Sequence, residues 1–154
     1  MATVDEIHAK LTALLANISP PQRRKLAKNI GMQLRKSQSA RIVQQQNPDG
    51  SAYEPRKPRK ERVKSRKTKG RVKRQAMFAK LRTARFLKVR SNSDEVSVGF
   101  EGRNAHIANV HQYGLTARVR GNLKAKYAQR ELLGFTDNDL DMIEDLMIEA
   151  LDED

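Results

Sequence analysis

Three histidines, a carboxylate-rich C-terminal end and one dense basic run are the residues of this 154-residue chain whose types could do chemistry. The histidines are His8, His106 and His111. His106 and His111 stand five apart, whereas a helical zinc pair needs a four-residue spacing to put both rings on one face. No carboxylate stands at a matching position between them, so both are read as structural or partner-facing and no metal site is expected. Asp137, Asp139, Asp141, Glu144 and Asp145 follow one capped amphipathic pattern, and a solvated helix face explains them more simply than a metal-dependent nuclease site. The chain has no cysteine, which excludes disulfides, thiol catalysis and cysteine-based zinc sites. It has no Walker motif, no Gly-x-Gly-x-x-Gly and no nucleophile elbow. Neither an enzyme nor a cofactor is expected.

The basic run is the remaining candidate. From Arg56 to Arg74 there are twelve Lys or Arg and one acid, Glu61. Pro55, Pro58 and dense like charge argue against a stable helix, so an extended or disordered arm is expected. An arm of residues 55–75 drawn out straight would reach roughly 70 Å at ~3.3 Å per residue. Residues 56–77 contain no aromatic. Single-strand binders interleave aromatics on which bases stack, so base reading is not expected, although attraction to the phosphate backbone by charge remains open.

The charge is also distributed unevenly. The formal net charge is +13; residues 55–90 hold seventeen basic side chains and one acid, while residues 136–154 hold nine acids and no base. A basic middle and an acidic end point to nucleic acid, an acidic protein surface, or the end of a neighbouring copy. Apolar residues make up 38 % of the chain, which predicts a modest core. No apolar run approaches the roughly 18 residues of a membrane span. Met1-Ala-Thr-Val-Asp-Glu-Ile-His8 lacks a charged region followed by an apolar one, so no signal peptide is expected. No membrane partner is expected, and synthesis in the cytoplasm is.

The elements that must position these residues read as an α+β fold. Thr3 caps a first helix over 3–18, with Val4, Ile7, Leu11, Leu14, Leu15 and Ile18 on one stripe. Ser19-Pro20 starts a second helix reaching about Gln45, with Leu26, Ile30, Leu34 and Val43 on its apolar side and Gly31 weakening it slightly. Asn47-Pro-Asp-Gly50 is a turn. Beyond the arm, a short helix is expected from Arg74 to Thr83, then a hairpin of Phe86–Arg90 and Glu95–Glu101 around Ser91–Asp94. Asn104 caps a helix through Gln112, ended by Gly114. Residues 115–130 are irregular or form a strand pair around Gly121-Asn122. Leu132-Leu133-Gly-Phe135 is a short apolar piece. Thr136 caps the last helix, with Asp139 at the third position where a capping box has Glu or Gln. Leu140, Ile143, Leu146, Met147, Ala150 and Leu151 form its inner face. The organisation expected is one domain overall: an N-terminal helical pair in 1–46, a basic arm or extended loop in 47–75, and residues 76–154 with a small, mostly antiparallel sheet and an acidic C-terminal amphipathic helix.

Several stretches together resemble the phage tail completion proteins, also called the virion morphogenesis family of contractile-tailed bacteriophages. They are Leu34-Arg-Lys-Ser-Gln-Ser-Ala-Arg-Ile42, Gln46-Asn-Pro-Asp-Gly-Ser-Ala-Tyr-Glu-Pro-Arg-Lys57 and Met77-Phe-Ala-Lys-Leu-Arg-Thr-Ala-Arg-Phe-Leu87. The series continues in Val98-Gly-Phe100, Ile107-Ala-Asn-Val-His-Gln-Tyr-Gly114 and Arg130-Glu-Leu-Leu-Gly-Phe-Thr-Asp137. The order and spacing match over roughly residues 30–150. One departure is Ala128-Gln129, where the family usually has Pro-Ala. The resemblance implies a non-enzymatic structural protein of the virion at the head-proximal end of the tail, which stops tube growth and prepares the tail for head–tail joining. It implies a ring, commonly a hexamer, on an α/β scaffold. The partners implied are the chain itself, the tail tube protein and the head–tail connector or neck proteins, with DNA as a further candidate contact. The alternative is a non-specific nucleic-acid-binding basic protein.

A ring needs one repeated contact between two different surfaces. The expected pairing sets Arg56, Lys57, Arg59, Lys60, Arg62, Lys64, Arg66, Lys67, Lys69, Arg71, Lys73 and Arg74 of one copy against Glu149, Asp152, Glu153 and Asp154 of the next.

Overall fold

Helix α2 (Pro20–Val43) is the element on which the others are laid. A computed structural model describes residues 3–15, 17–56 and 76–152 of the chain. Around α2 are α1 (Val4–Leu15), β1 (Lys88–Ser91), β2 (Val96–Gly99), α3 (Arg103–Tyr113), β3 (Thr116–Arg120), β4 (Leu123–Lys126) and α4 (Asp137–Asp152). The fold is α+β, with two separate antiparallel ribbons, β1–β2 and β3–β4. Among the described residues no helix is long and apolar enough to cross a membrane.

Side-chain caps start three of the helices. The Thr3 hydroxyl accepts from the Glu6 amide at 3.2 Å and Glu6 accepts from the Thr3 amide at 3.0 Å. Gln22 Oε1 accepts from the Ser19 amide at 3.2 Å ahead of the Pro20-Pro21 start. Asp139 serves as the third-position partner of Thr136 as well as a glutamate would, with both reciprocal bonds at 3.0 Å. Each set satisfies amide groups that a helix start leaves without intrahelical partners.

The N-terminal half of α2 builds the first core cluster. Leu26, Ile30 and Leu34 meet Ile7 of α1 and Leu140, Ile143 and Met147 of α4, with Val96 and Val98 of β2 packed against them. The C-terminal half builds the second, where Ile42 joins Tyr53, Met77, Ala108 and Leu132. The β1–β2 ribbon closes directly onto α2 at Gly31. A Cβ there would lie 2.4 Å from Val89 Cγ1 and 2.8 Å from Val96 Cγ2. The glycine that weakens the helix is what admits the ribbon.

Several boundaries differ from the sequence reading, each for a local reason. Residues 76–87 form successive turns rather than a helix. Phe78 adopts φ 65°, which ends any right-handed helix at its start. In α2, Ile42 is fully buried whereas Val43 is 53 % exposed. At about 100° per residue, position 43 is half a turn away from Leu34. Val4 and Leu151 also face outward rather than inward. Helix α3 starts at Arg103 after Gly102, so Asn104 is inside it and does not cap it. Gly114 ends α3 in the left-handed region, φ 62°. The region 115–130 resolves into the β3–β4 hairpin around Gly121-Asn122. The side chains of Leu11, Leu14 and Leu15, expected on the inward stripe, are not among those described, and residues 57–75 of the basic arm lie outside the described residues.

Gly31→Ala tests the close approach. Alanine should add about 1 kcal/mol of helix propensity, while overpacking against two β-branched side chains costs about 1–3 kcal/mol. The expected net effect is a lower urea midpoint with an unchanged slope. A raised midpoint would show that the ribbon does not close on this position.

Candidate assembly site at the root of the basic loop

The apolar stripe of α2 continues past Leu34 as polar residues. Gln38, Arg41 and the following Gln45 stand where the next apolar positions would fall, and Gln38 and Arg41 are buried. They bind segments that have no ladder of their own. Arg41 Nη1 donates to Gln46 O at 3.1 Å and Glu131 O at 3.0 Å. Its Nη2 donates to Leu132 O at 2.8 Å and also bonds Gln38 Oε1. Gln38 Nε2 donates to Gly134 O at 2.8 Å, and its Oε1 accepts from Gly134 N at 3.1 Å. From the other side, Gln112 of α3 accepts from the amides of Leu132 and Leu133 at 2.9 and 3.0 Å and donates to Leu133 O at 2.8 Å. An irregular buried segment has to find partners for its backbone one by one, and 131–134 finds them here.

The same framework holds both ends of the basic run. On the upstream side, Tyr53 N donates to Gln45 O at 2.7 Å and its hydroxyl donates to Glu131 O at 2.8 Å. Burial pushes the Tyr53 phenol above its ordinary range, which keeps it a donor. The Arg130 guanidinium, itself buried, donates to Glu54 O at 2.7 Å and Pro55 O at 3.1 Å. On the downstream side, Met77 N donates to Gln45 Oε1 at 2.7 Å and Met77 O accepts from Gln45 Nε2 at 2.9 Å. The Tyr53 and Phe78 rings then meet edge to face at 5.8 Å. Gln45 (φ 56°) and Phe78 (φ 65°), which stand at this junction, are the non-glycine residues with positive φ among those described. Such backbones cost about 1–3 kcal/mol each and persist where the surroundings over-determine them.

The described residues on either side of the basic run, Tyr53 to Pro55 and Met77-Phe78, are therefore held at one place. The expected extended arm and its reach fall on residues 57–75, which lie outside the described residues.

The ring contact continues into α3 and beyond. Phe78 meets His111 at 4.9 Å, and His111 meets Tyr127 at 5.0 Å, both edge to face. His111 Nδ1 is buried with no hydrogen-bond partner among the described residues. Burial, then the charges of Arg130 and Arg56, hold its pKa below the ordinary histidine value. His111 is thus a neutral ring beside the root, and it does not act with His106, which is exposed.

Of the charged residues singled out by sequence, Arg56 is exposed at the start of the loop. Lys57, Arg59, Lys60, Arg62, Lys64, Arg66, Lys67, Lys69, Arg71, Lys73 and Arg74 lie outside the described residues, as do Glu153 and Asp154. Glu149 is exposed on α4, and Asp152 ends that helix. Glu149 lines a small cleft with Gln22, Lys25 and Asn29, so it sits by the first turns of α2. The loop root sits by Gln45, past the other end. The two ends of α2 are about 30 Å apart at the helical rise. The flanks of the basic run and Glu149 thus stand toward opposite ends of α2, with Lys25 in the same cleft as Glu149. Gln38, Arg41, Gln45, Gln112 and Arg130 were not found from sequence as a set. The available signal was the run of polar residues in register with an apolar stripe.

Comparison with known proteins bears on the whole chain. The model of the phage virion morphogenesis family matches residues 2–152. The chain is 42 % identical over 145 residues to "Tail completion protein S" of Escherichia phage P2, covering 93 % of each chain. No solved structure matches.

Two measurements check the root. Gln45→Ala strands the amide and carbonyl of Met77, so stability should fall by about 1–3 kcal/mol. Amide exchange at Tyr53 and Met77 should quicken more than in α4. Acid is the second probe. His111 has a lowered folded-state pKa, so the unfolded chain takes up its proton first as pH drops below about 6.5. Its contribution is complete above that pH and is lost as pH falls through the folded value. His111→Gln should flatten that part of the stability profile; an unchanged profile would place the titration elsewhere.

Proposed function

The chain belongs to the phage virion morphogenesis family, and we propose that it is a structural protein that completes the phage tail. In this reading it caps the tail tube at the head-proximal end and prepares that end for joining to the head. It acts as a virion component with no chemistry of its own. Its partners are further copies of itself in a closed ring, the tail tube protein, and the connector or neck proteins on the head side.

The observation that carries the mechanism is the placement of the basic run and of the C-terminal end of α4 toward opposite ends of α2. The basic loop springs from the Gln45 end, and the exposed Glu149 lies by the Gln22 end. A basic segment leaving from one end and exposed carboxylates in the last turns of α4 at the other favour contact head to tail between copies. A head-to-tail contact is heterologous, and it makes a ring when its rotation closes. The loop lies on the neighbouring copy or on the tube, and Arg56 to Arg74 meet the acidic end of α4, Glu149 to Asp154. Many individually weak charge contacts offset the entropy of ordering such a segment. DNA is ranked below protein as the loop's partner. A strongly positive lining would hold the phosphate backbone and slow the passage of DNA through the neck.

The closed root makes the test clean. The loop ends meet at Tyr53 and Phe78. Residues 57–75 replaced by a short Gly-Ser linker should therefore leave the fold and its melting transition intact. The expected result is loss of complementation in a phage lacking its own tail completion gene, with over-long or headless tails in electron micrographs. Full complementation by the linker variant would remove the loop from the mechanism. Steep salt-dependent binding of duplex DNA, abolished by the same change, would reverse the ranking of partners.

A further inference from the structure

The β3–β4 hairpin has no part in the packing above. Its strands pair with each other, Ala117 with Ala125, Arg118 with Lys124 and Arg120 with Leu123, with a register break between Arg118 and Arg120. None of its residues belongs to either core cluster. A two-stranded ribbon is marginal in water unless one face is covered. This one is poorly suited to stand alone for two further reasons. Its tip carries Val119, 52 % exposed, and Leu123, 64 % exposed. Arg118 lies directly opposite Lys124, a like-charge pair that weakens the ladder. Residues 116–126 carry four cations and no acid. The surface that would cover it has an apolar seat with carboxylates beside it.

The same chain carries such a surface elsewhere. Between α1 and α4 is an open groove of about 290 Å³ lined by Lys10, Ala13, Glu144, Met147, Ile148 and Leu151. Ile148 is 52 % exposed and Leu151 39 %. Asp141 and Asp145, both exposed, each stand three residues before a groove residue, Glu144 and Ile148. That spacing makes them neighbours of the groove on the surface of α4. The hairpin leaves from the end of α3, with Tyr127 against His111 at the loop-root end of the molecule. The groove belongs to the α1–α4 end.

We propose that the β3–β4 hairpin of one copy seats Leu123 in the α1–α4 groove of a second copy, with Arg118 and Lys124 against the carboxylates of α4. The apolar tip fills an apolar groove, and the repelling cation pair gains anions on its outer side. Donor and acceptor are different surfaces, so each copy offers one of each and the contact repeats head to tail. This deepens the ring reading by naming its contact, and it rests on that reading only for closure of the chain of contacts. A nucleic-acid partner would satisfy the cations and leave Val119 and Leu123 in water, and for that reason protein is the partner assigned.

The absence of native cysteine makes introduced thiols unambiguous. Leu123→Cys and Ile148→Cys chains, mixed under mild oxidation, should give disulfide-linked heterodimers. The double variant should give a ladder, and Val43→Cys paired with Leu123→Cys should give neither. Lys124→Glu should weaken self-association by about tenfold, and Asp145→Lys in the same chain should restore it. All are surface positions, so retained melting transitions are the control for folding. If copies associate but Leu123 and Ile148 do not cross-link and Lys124→Glu has no effect, the contact lies elsewhere. The hairpin proposal then fails and the ring reading survives. If the full-length protein stays monomeric alone and on isolated tails, both fail. If Lys124→Glu abolishes duplex DNA binding and no cross-link forms, the hairpin is a nucleic-acid contact and the proposal is overturned.

Discussion

The interaction on which the rest depends is the hydrogen bonding of residues 131–134 by side chains from two helices. This segment is half-buried, with Leu132 fully enclosed, yet it belongs to no helix or strand. Its amides and carbonyls would otherwise be stranded at a cost of about 1–3 kcal/mol each. Gln38, Arg41 and Gln112 supply the partners, and in doing so they lock α2, α3 and the chain between β4 and α4 into one arrangement. Arg41 reaches three carbonyls from two segments, which a shorter or less planar cation would not do as well.

That framework also explains how a strongly basic insertion is tolerated. Like charges repel, and a segment so rich in them cannot bury apolar area of its own. On either side of the run the chain is held, at Pro55 by Arg130 and at Met77 by Gln45. The positive φ values at Gln45 and Phe78 are local costs of bringing the two ends together.

Electrostatics give the molecule a direction. Asp137 and Asp139 suit the N-terminus of α4, where the helix dipole is positive. Glu149 and Asp152 oppose the dipole at the other end, and no basic residue stands in the last turn. An isolated molecule keeps that conflict, screened by salt. A cationic surface from a neighbour relieves it. The basic loop and the β3–β4 hairpin both supply cations at the opposite end of the molecule, so the two proposed contacts run in the same direction rather than competing.

Much of this was legible in the sequence because its causes are local. Thr3, Ser19 and Thr136 start helices through bonds to residues three positions away, and Gly114 ends one through its own φ. Leu26, Ile30 and Leu34 recur at the helical period, and the charge asymmetry is a matter of counting. The tertiary structure decided what depends on distant partners. Gln38, Arg41 and Arg130 look like solvated polar residues until carbonyls some 75 to 96 positions away arrive beside them. Met77-Phe78 has the pattern of a helix start, but Gln45, 32 residues upstream, takes its hydrogen bonds and Phe78 turns left-handed. Gly31 reads as a weak point in a helix until the β1–β2 ribbon needs the space of its missing side chain. Local spacing determines which elements form. Which polar group meets which backbone, and hence where the basic loop is tied, is set only when the elements pack.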